Sequence, residues 1–206
     1  MWFAAGMTQD LETLAFASAE AFEAWLGENH ATSPGIWLKL RKKSSGAVGA
    51  PGAVGTGTLD YAQALDVALC HGWIDGQKAR FDDQWWLQRF TPRRPRSKWS
   101  RINRDKVAAL IEQGRMRPAG QAEIDRAKAD GRWEAAYESA KTATVPDDLA
   151  AALTAAPDAA AFFETLDRQN RYAILHRIQT VKRADTRARH IEKTCEMLER
   201  GEKHHP

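Results

Sequence analysis

The sequence predicts an α+β fold: a small antiparallel sheet packed with helices, followed by an all-helical C-terminal bundle. Three observations predict it. Residues Ile36 to Lys42 alternate apolar and basic, with Ile36, Leu38 and Leu40 on one side and Trp37, Lys39 and Arg41 on the other, as a half-buried strand requires. From Trp73 to Phe90, aromatic and β-prone residues are punctuated by Asp75-Gly76 and Asp82-Asp83, which reads as strand segments joined by turns. Beyond Pro146 the apolar residues recur only at helical spacing, interrupted at Pro157, Asp158 and Asp167, which suits short antiparallel helices. These observations divide the chain into an α+β part, 1–145, and a helical part, 146–206.

Taken in order, Ala21, Phe22, Trp25 and Leu26 mark a first amphipathic helix with Ser18 as its N-cap. The glycine-rich stretch Ser44–Thr58 lacks both GxxxxGK[ST] and GxGxxG spacing, so it reads as a flexible surface loop rather than a phosphate cradle. Leu59, Ala62, Leu65, Ala68 and Leu69 share one helix face, with Cys70 on the buried side, and Gly72 stands where a left-handed residue stops a helix after His71. Pro92 and Pro95 predict an extended linker that leaves arginines facing outward. A helix capped by Ser100 or Asn103 follows and ends at Gly114; another opens at Pro118 and runs to Gly131, its apolar face extended by Trp133, Ala136 and Tyr137. In the helical part, Leu153, Phe163, Leu175 and Leu198 are expected in one core.

At 206 residues with 43% hydrophobic content, the chain can bury a substantial core. The opening MWFAAGMTQD has no basic leader region, no apolar run is long enough to span a bilayer, and Met7 is an alternative start, so a cytoplasmic protein without membrane insertion is expected. Cys70 and Cys195 are far apart and expected to remain reduced. The net charge is only +3, yet residues 89–106 carry eight cations against Asp105, a local +7 that leaves −4 for the remainder. Such asymmetry points to an anionic partner met at one place.

The stretch Leu59–Asn103 holds that basic cluster and the hairpin together, so it carries the candidate site. Arg89, Arg93, Arg94, Arg96, Lys98 and Arg101 supply phosphate-binding forks, Trp99 a stacking face, and Asn103 with Ser100 a helix start whose amides face an anion. The expected ligand is a phosphate, a nucleotide or single-stranded nucleic acid. The alternative for the cluster is a solvated strap whose guanidiniums pair with Asp75, Asp82 and Asp83, with Trp99 pinned in the core. Trp73, Trp85 and Trp86 are candidates for a pocket wall. His71 with Asp75 is a candidate base and orienter, and Asp82 and Asp83 are further catalytic candidates; with a divalent metal they would make a nuclease or nucleotide-processing enzyme, the alternative to a non-catalytic binding protein. Neither Asp60 and Asp66 nor His190 and Cys195 have metal-ligand spacing, so no metal and no cofactor is expected. Ser97, Ser100 and Cys70 sit in no nucleophile elbow. The C-terminal helices offer a surface for a protein partner.

GWIDGQ at Gly72–Gln77, RFTPRRPRSKWSRIN at Arg89–Asn103, GRMRPAG at Gly114–Gly120, and the later VPDDLAAAL and TRARHIEKTCEML occur in an order that resembles the YdeI/OmpD-associated family of bacteriocin-protection type, from about Phe16 onward. The resemblance implies an intracellular bacterial protein connected with antimicrobial-peptide resistance or envelope stress, and it implies no particular chemistry.

Overall fold

The computed structural model describes residues 11–42, 59–181 and 183–205. The opening Met1–Asp10 and the loop expected over Ser44–Thr58 lie outside the described residues. Among those described, the chain forms four strands and eight helices in two compact units, one made of Met1–Ser97 with Asp105–Asp130 and the other of Lys98–Arg104 with Gly131–Pro206.

The first unit is built on strands β1 (Glu12–Leu14), β2 (Ile36–Arg41), β3 (Trp73–Arg80) and β4 (Trp85–Pro92), in the order β1-β2-β4-β3. The β2–β4 and β3–β4 pairs are antiparallel, as expected, while the short β1 adds a parallel pair along β2 and makes the sheet mixed. Residues Ile36, Leu38 and Leu40 of β2 are buried, which places the whole alternating set on the core side. Helix α1 (Ala19–Asn29) begins where the Ser18 hydroxyl accepts from the Ala21 amide at 3.3 Å, and packs Phe22 against Phe90 with ring centres 6.0 Å apart. Helix α2 (Tyr61–Cys70) starts with a reciprocal cap: Asp60 accepts from the Gln63 amide at 2.8 Å, and the Gln63 side chain accepts from the Asp60 amide at 3.1 Å. It ends at His71 because Gly72 adopts φ +74°, as the sequence predicts.

Two local expectations are corrected here. Asp75-Gly76 does not turn the chain; β3 runs through it with a bulge between Asp75 and Lys78. The buried Gln88 amide stabilises that irregularity by donating to the carbonyls of Gly76 at 2.9 Å and Gln77 at 3.2 Å. The reversal comes instead at Asp82, whose carboxylate accepts from the amides of Gln84 at 2.8 Å and Trp85 at 2.7 Å. Nor is the segment after β4 simply extended. Pro92 still pairs with Trp73, and Arg94–Ser97 closes a turn in which the Ser97 amide donates to the Arg94 carbonyl at 2.8 Å. Pro95, with its φ preset by the ring, occupies the second position of that turn.

Helix α3 (Arg101–Glu112) is capped by the Ser100 hydroxyl, which accepts from the Asn103 amide at 3.2 Å, and is followed by Gly114 at φ +68°. Helix α4 (Pro118–Ala129) stops before Gly131 at φ +74°. Residues Trp133, Ala136 and Tyr137 do not prolong it. They form turns and a bridge in the second unit, where Tyr137 donates to the Trp99 carbonyl at 3.0 Å and accepts from the Arg101 amide at 2.9 Å.

The rest of the second unit is helical: α5 (Asp147–Ala155), α6 (Pro157–Thr165), α7 (Arg168–Gln179) and α8 (Ala184–Glu199). Their stripes meet as the spacing predicts, with Leu153, Phe163, Leu175 and Leu198 all buried in one cluster.

Candidate functional site

The basic segment is divided between the two units, Arg89, Arg93, Arg94 and Arg96 belonging to the first and Lys98, Trp99, Arg101 and Asn103 to the second. In the first, Arg93 is buried at 5% exposure, with its amide donating to the Gly72 carbonyl at 2.9 Å. Burial takes it out of the outward-facing set. Arg94 and Arg96 are exposed on the turn, and neither guanidinium has a carboxylate partner among the described residues. Arg89 is half-buried on β4 and stands opposite Trp37 of β2.

In the second unit, Trp99 is buried at 2% exposure with the Trp133 ring 5.0 Å away, so its face is enclosed and does not offer a stacking surface. Asn103 is buried, and its amide is spent on the Ser100 hydroxyl. Arg101 pairs with Glu138 at 2.8 Å. It borders a polar cavity of about 310 Å³ that also includes Glu134, Gln179 and Arg187. Arg187 is committed to Asp148, at 2.6 and 2.9 Å, and to the Ile178 carbonyl at 2.6 Å. Lys98 is exposed.

The carboxylates expected to pair with these arginines, or to act beside them, serve other groups. Asp75 accepts from the Tyr61 hydroxyl at 2.8 Å, and burial followed by that carboxylate raises the Tyr61 phenol above its ordinary range. Asp83 pairs with Arg80 at 3.0 Å, and Asp82 holds the turn amides. His71 is not oriented by Asp75. Its Nδ1 bonds the Val67 carbonyl at 3.1 Å, one helical turn back, and burial pushes its pKa below the ordinary histidine value. The proposed dyad is therefore absent, because helix α2 claims the ring and Tyr61 claims the carboxylate. Among the described residues, no three His, Cys, Asp or Glu side chains converge as ligands of a metal would.

Trp73, Trp85 and Trp86 do not line one pocket. Trp73 is core, at 1% exposure, with its indole N–H donating to the His30 carbonyl at 3.1 Å. Trp85 and Trp86 are consecutive in β4 and so point to opposite faces. The helix-covered face receives Trp86, beside Tyr61 at 6.0 Å and under the Lys78 ammonium at 5.1 Å. Trp85 lies on the other face with Lys39 5.0 Å from its ring centre.

A cavity of about 420 Å³ in the first unit is lined by Glu23, Gly27, His30, His71, Arg117 and Ala119. Sequence reasoning missed all of these but His71, since they come from three separate helices and their ends. Its two ionised groups are spent on each other, Arg117 meeting Glu23 at 2.6 Å. The His30 and His71 rings lie 5.9 Å apart, each with Nδ1 on a helix carbonyl. Cys70 is buried and Cys195 half-buried; both thiols are free, and burial raises the pKa of each.

These features define a sheet-and-helix protein with a basic turn at the end of its hairpin and a separate helical unit. Residues 14–123, just over half of the chain, match the family described as a domain of unknown function (DUF8412), and the chain belongs to that family. Residues 142–201 match the family described as "Bacteriocin-protection, YdeI or OmpD-Associated", which is the resemblance carried by the C-terminal motifs. That match is confined to the helical unit and does not extend back to Phe16. Comparison with curated proteins and with solved structures gave no match. No helix among the described residues is long and apolar enough to cross a membrane.

Proposed function

We propose that this protein is a non-catalytic binding protein for a phosphate-bearing polyanion, acting in stress or antimicrobial resistance, a setting supported by the words "bacteriocin-protection" in the family description that its C-terminal residues match. One observation carries the reading. Arg94 and Arg96 stand exposed on the turn after β4 with no carboxylate partner among the described residues, while Asp75, Asp82 and Asp83 are occupied elsewhere. Unpaired guanidiniums on a short turn keep their forks available for phosphate oxygens. A nuclease would need at least two carboxylates converging beside those arginines, and the three aspartates lie on separate tasks.

The test is fluorescence anisotropy with a labelled base-free deoxyribose-phosphate strand across a salt series. Wild-type affinity is expected to fall linearly on a log-log plot as counterions are released. The Arg94→Ala, Arg96→Ala double variant should flatten the slope by about 1.4, at roughly 0.7 per phosphate contact on a single strand. Its unfolding midpoint should be unchanged, because neither side chain supports the core. Absence of salt-sensitive binding, or a double variant with the wild-type slope, would overturn the reading.

A further inference from the structure

Strand register sorts the sheet of the first unit into two chemically different faces. Ile36, Leu38 and Leu40 of β2 share a face with Trp86, Gln88 and Phe90 of β4, and helices α1 and α2 cover it through the Phe22–Phe90 and Tyr61–Trp86 contacts. The opposite face presents Trp37, Lys39 and Arg41 from β2 and Trp85, Leu87 and Arg89 from β4, paired as Trp37 with Arg89, Lys39 with Leu87, and Arg41 with Trp85. All six are half-buried or exposed, although the three aromatic and aliphatic ones, Trp37, Trp85 and Leu87, would ordinarily seek cover. Phe81, at 48% exposure, joins this face at the hairpin end, where the Lys39 ammonium sits 4.1 Å from its ring centre and 5.0 Å from that of Trp85.

The charge on this face is one-sided. Lys39, Arg41 and Arg89 have no ion-pair partner among the described residues, and none of the six positions carries a carboxylate. A protein partner with an acidic surface would satisfy the cations but would not need aromatic rings spaced between them. A compact phosphate ligand would leave the rings unused. Cations interleaved with flat rings match a strand of alternating phosphates and bases, since each base has a face to stack and each phosphate a charge to neutralise. A duplex keeps its base faces stacked within itself and cannot use the rings.

We infer that the open face of this sheet, centred on Trp37, Lys39, Arg41 and Trp85, is a stacking platform for single-stranded nucleic acid. The inference rests on the polyanion reading and specifies its ligand. Strand β4 leads from this face into the Arg94–Ser97 turn, so the platform and the free guanidiniums belong to the same unit.

The experiment compares a thymine oligomer, the base-free strand of equal length, and a duplex oligomer at one salt concentration. The thymine strand should bind at least about tenfold more tightly than the base-free one, and binding should quench tryptophan fluorescence. Trp37→Ala and Trp85→Ala should each weaken the thymine strand roughly five- to hundredfold, the range of a lost base–aromatic stack, while leaving the salt slope and base-free binding unchanged. Trp37→Tyr and Trp85→Phe retain a ring and should recover most of the affinity, which separates stacking from damage to the hairpin. If the base-free strand binds as tightly as the thymine strand, or the ring-retaining variants bind no better than the alanine ones, the platform falls and the polyanion reading stands. Equal binding of duplex and single strand would overturn it in the same way. If none of the three binds, both readings fall together.

Discussion

Trp73→Ala should destabilise the protein by about 3 to 5 kcal/mol, among the largest effects expected of any single substitution in the first unit. The indole is 1% exposed at the first position of β3, immediately after the glycine that stops α2. It meets Trp25 of α1 edge-on at 5.9 Å and donates its N–H to the His30 carbonyl at 3.1 Å, so one side chain ties strand, helix and helix end together. Alanine would open a cavity in a packed core and deprive a carbonyl at the end of α1 of its indole donor. Urea unfolding followed by circular dichroism measures the loss; a change below about 1 kcal/mol would show that this corner is not the anchor its burial indicates.

Phe163→Ala should cost a similar amount, about 3 to 5 kcal/mol, in the helical unit. Its ring is 1% exposed on α6, among Leu149, Leu153, Ile174, Ile178 and Leu198, with the Arg171 guanidinium 4.7 Å from its centre. Removing it takes away the largest side chain of that core. Phe163→Leu should recover much of the loss, because it refills most of the volume with apolar atoms. Equal destabilisation by leucine and alanine would contradict a simple cavity.

Much of this architecture was legible because the periodic signals were local and strong. The alternation of β2 set its face, the glycine after His71 set the end of α2, and the four C-terminal helices declared themselves by stripes that converge on Leu153, Phe163, Leu175 and Leu198. What was not legible depended on partners distant in the chain. Asp75-Gly76 carries turn chemistry that a bulge uses equally well, and Gln88 on the neighbouring strand decides between them by satisfying the bulge carbonyls. Strand β1 has only three residues and too few positions to show a period.

The site was read in part. Counting charge located the arginines, and Arg94 and Arg96 are exposed as expected. Proximity in sequence, however, does not say which way a side chain faces. Trp99 is surrounded by cations in the chain, yet Trp133 encloses it in the second unit. The rings proposed to stack are Trp37 and Trp85, which share a face only through the β2–β4 register. The signal that marked Trp37 was its place among basic residues on the outer side of an otherwise regular strand.

The most direct test of the central claim is where a bound strand touches the protein. After ultraviolet cross-linking to a short thymine oligomer, mass spectrometry should find adducts in the β2 peptide containing Trp37, in the hairpin peptide containing Phe81 and Trp85, and in the turn containing Arg94 and Arg96. Adducts confined to the helices from Asp147 to Glu199 would contradict the assignment of anion binding to the sheet unit.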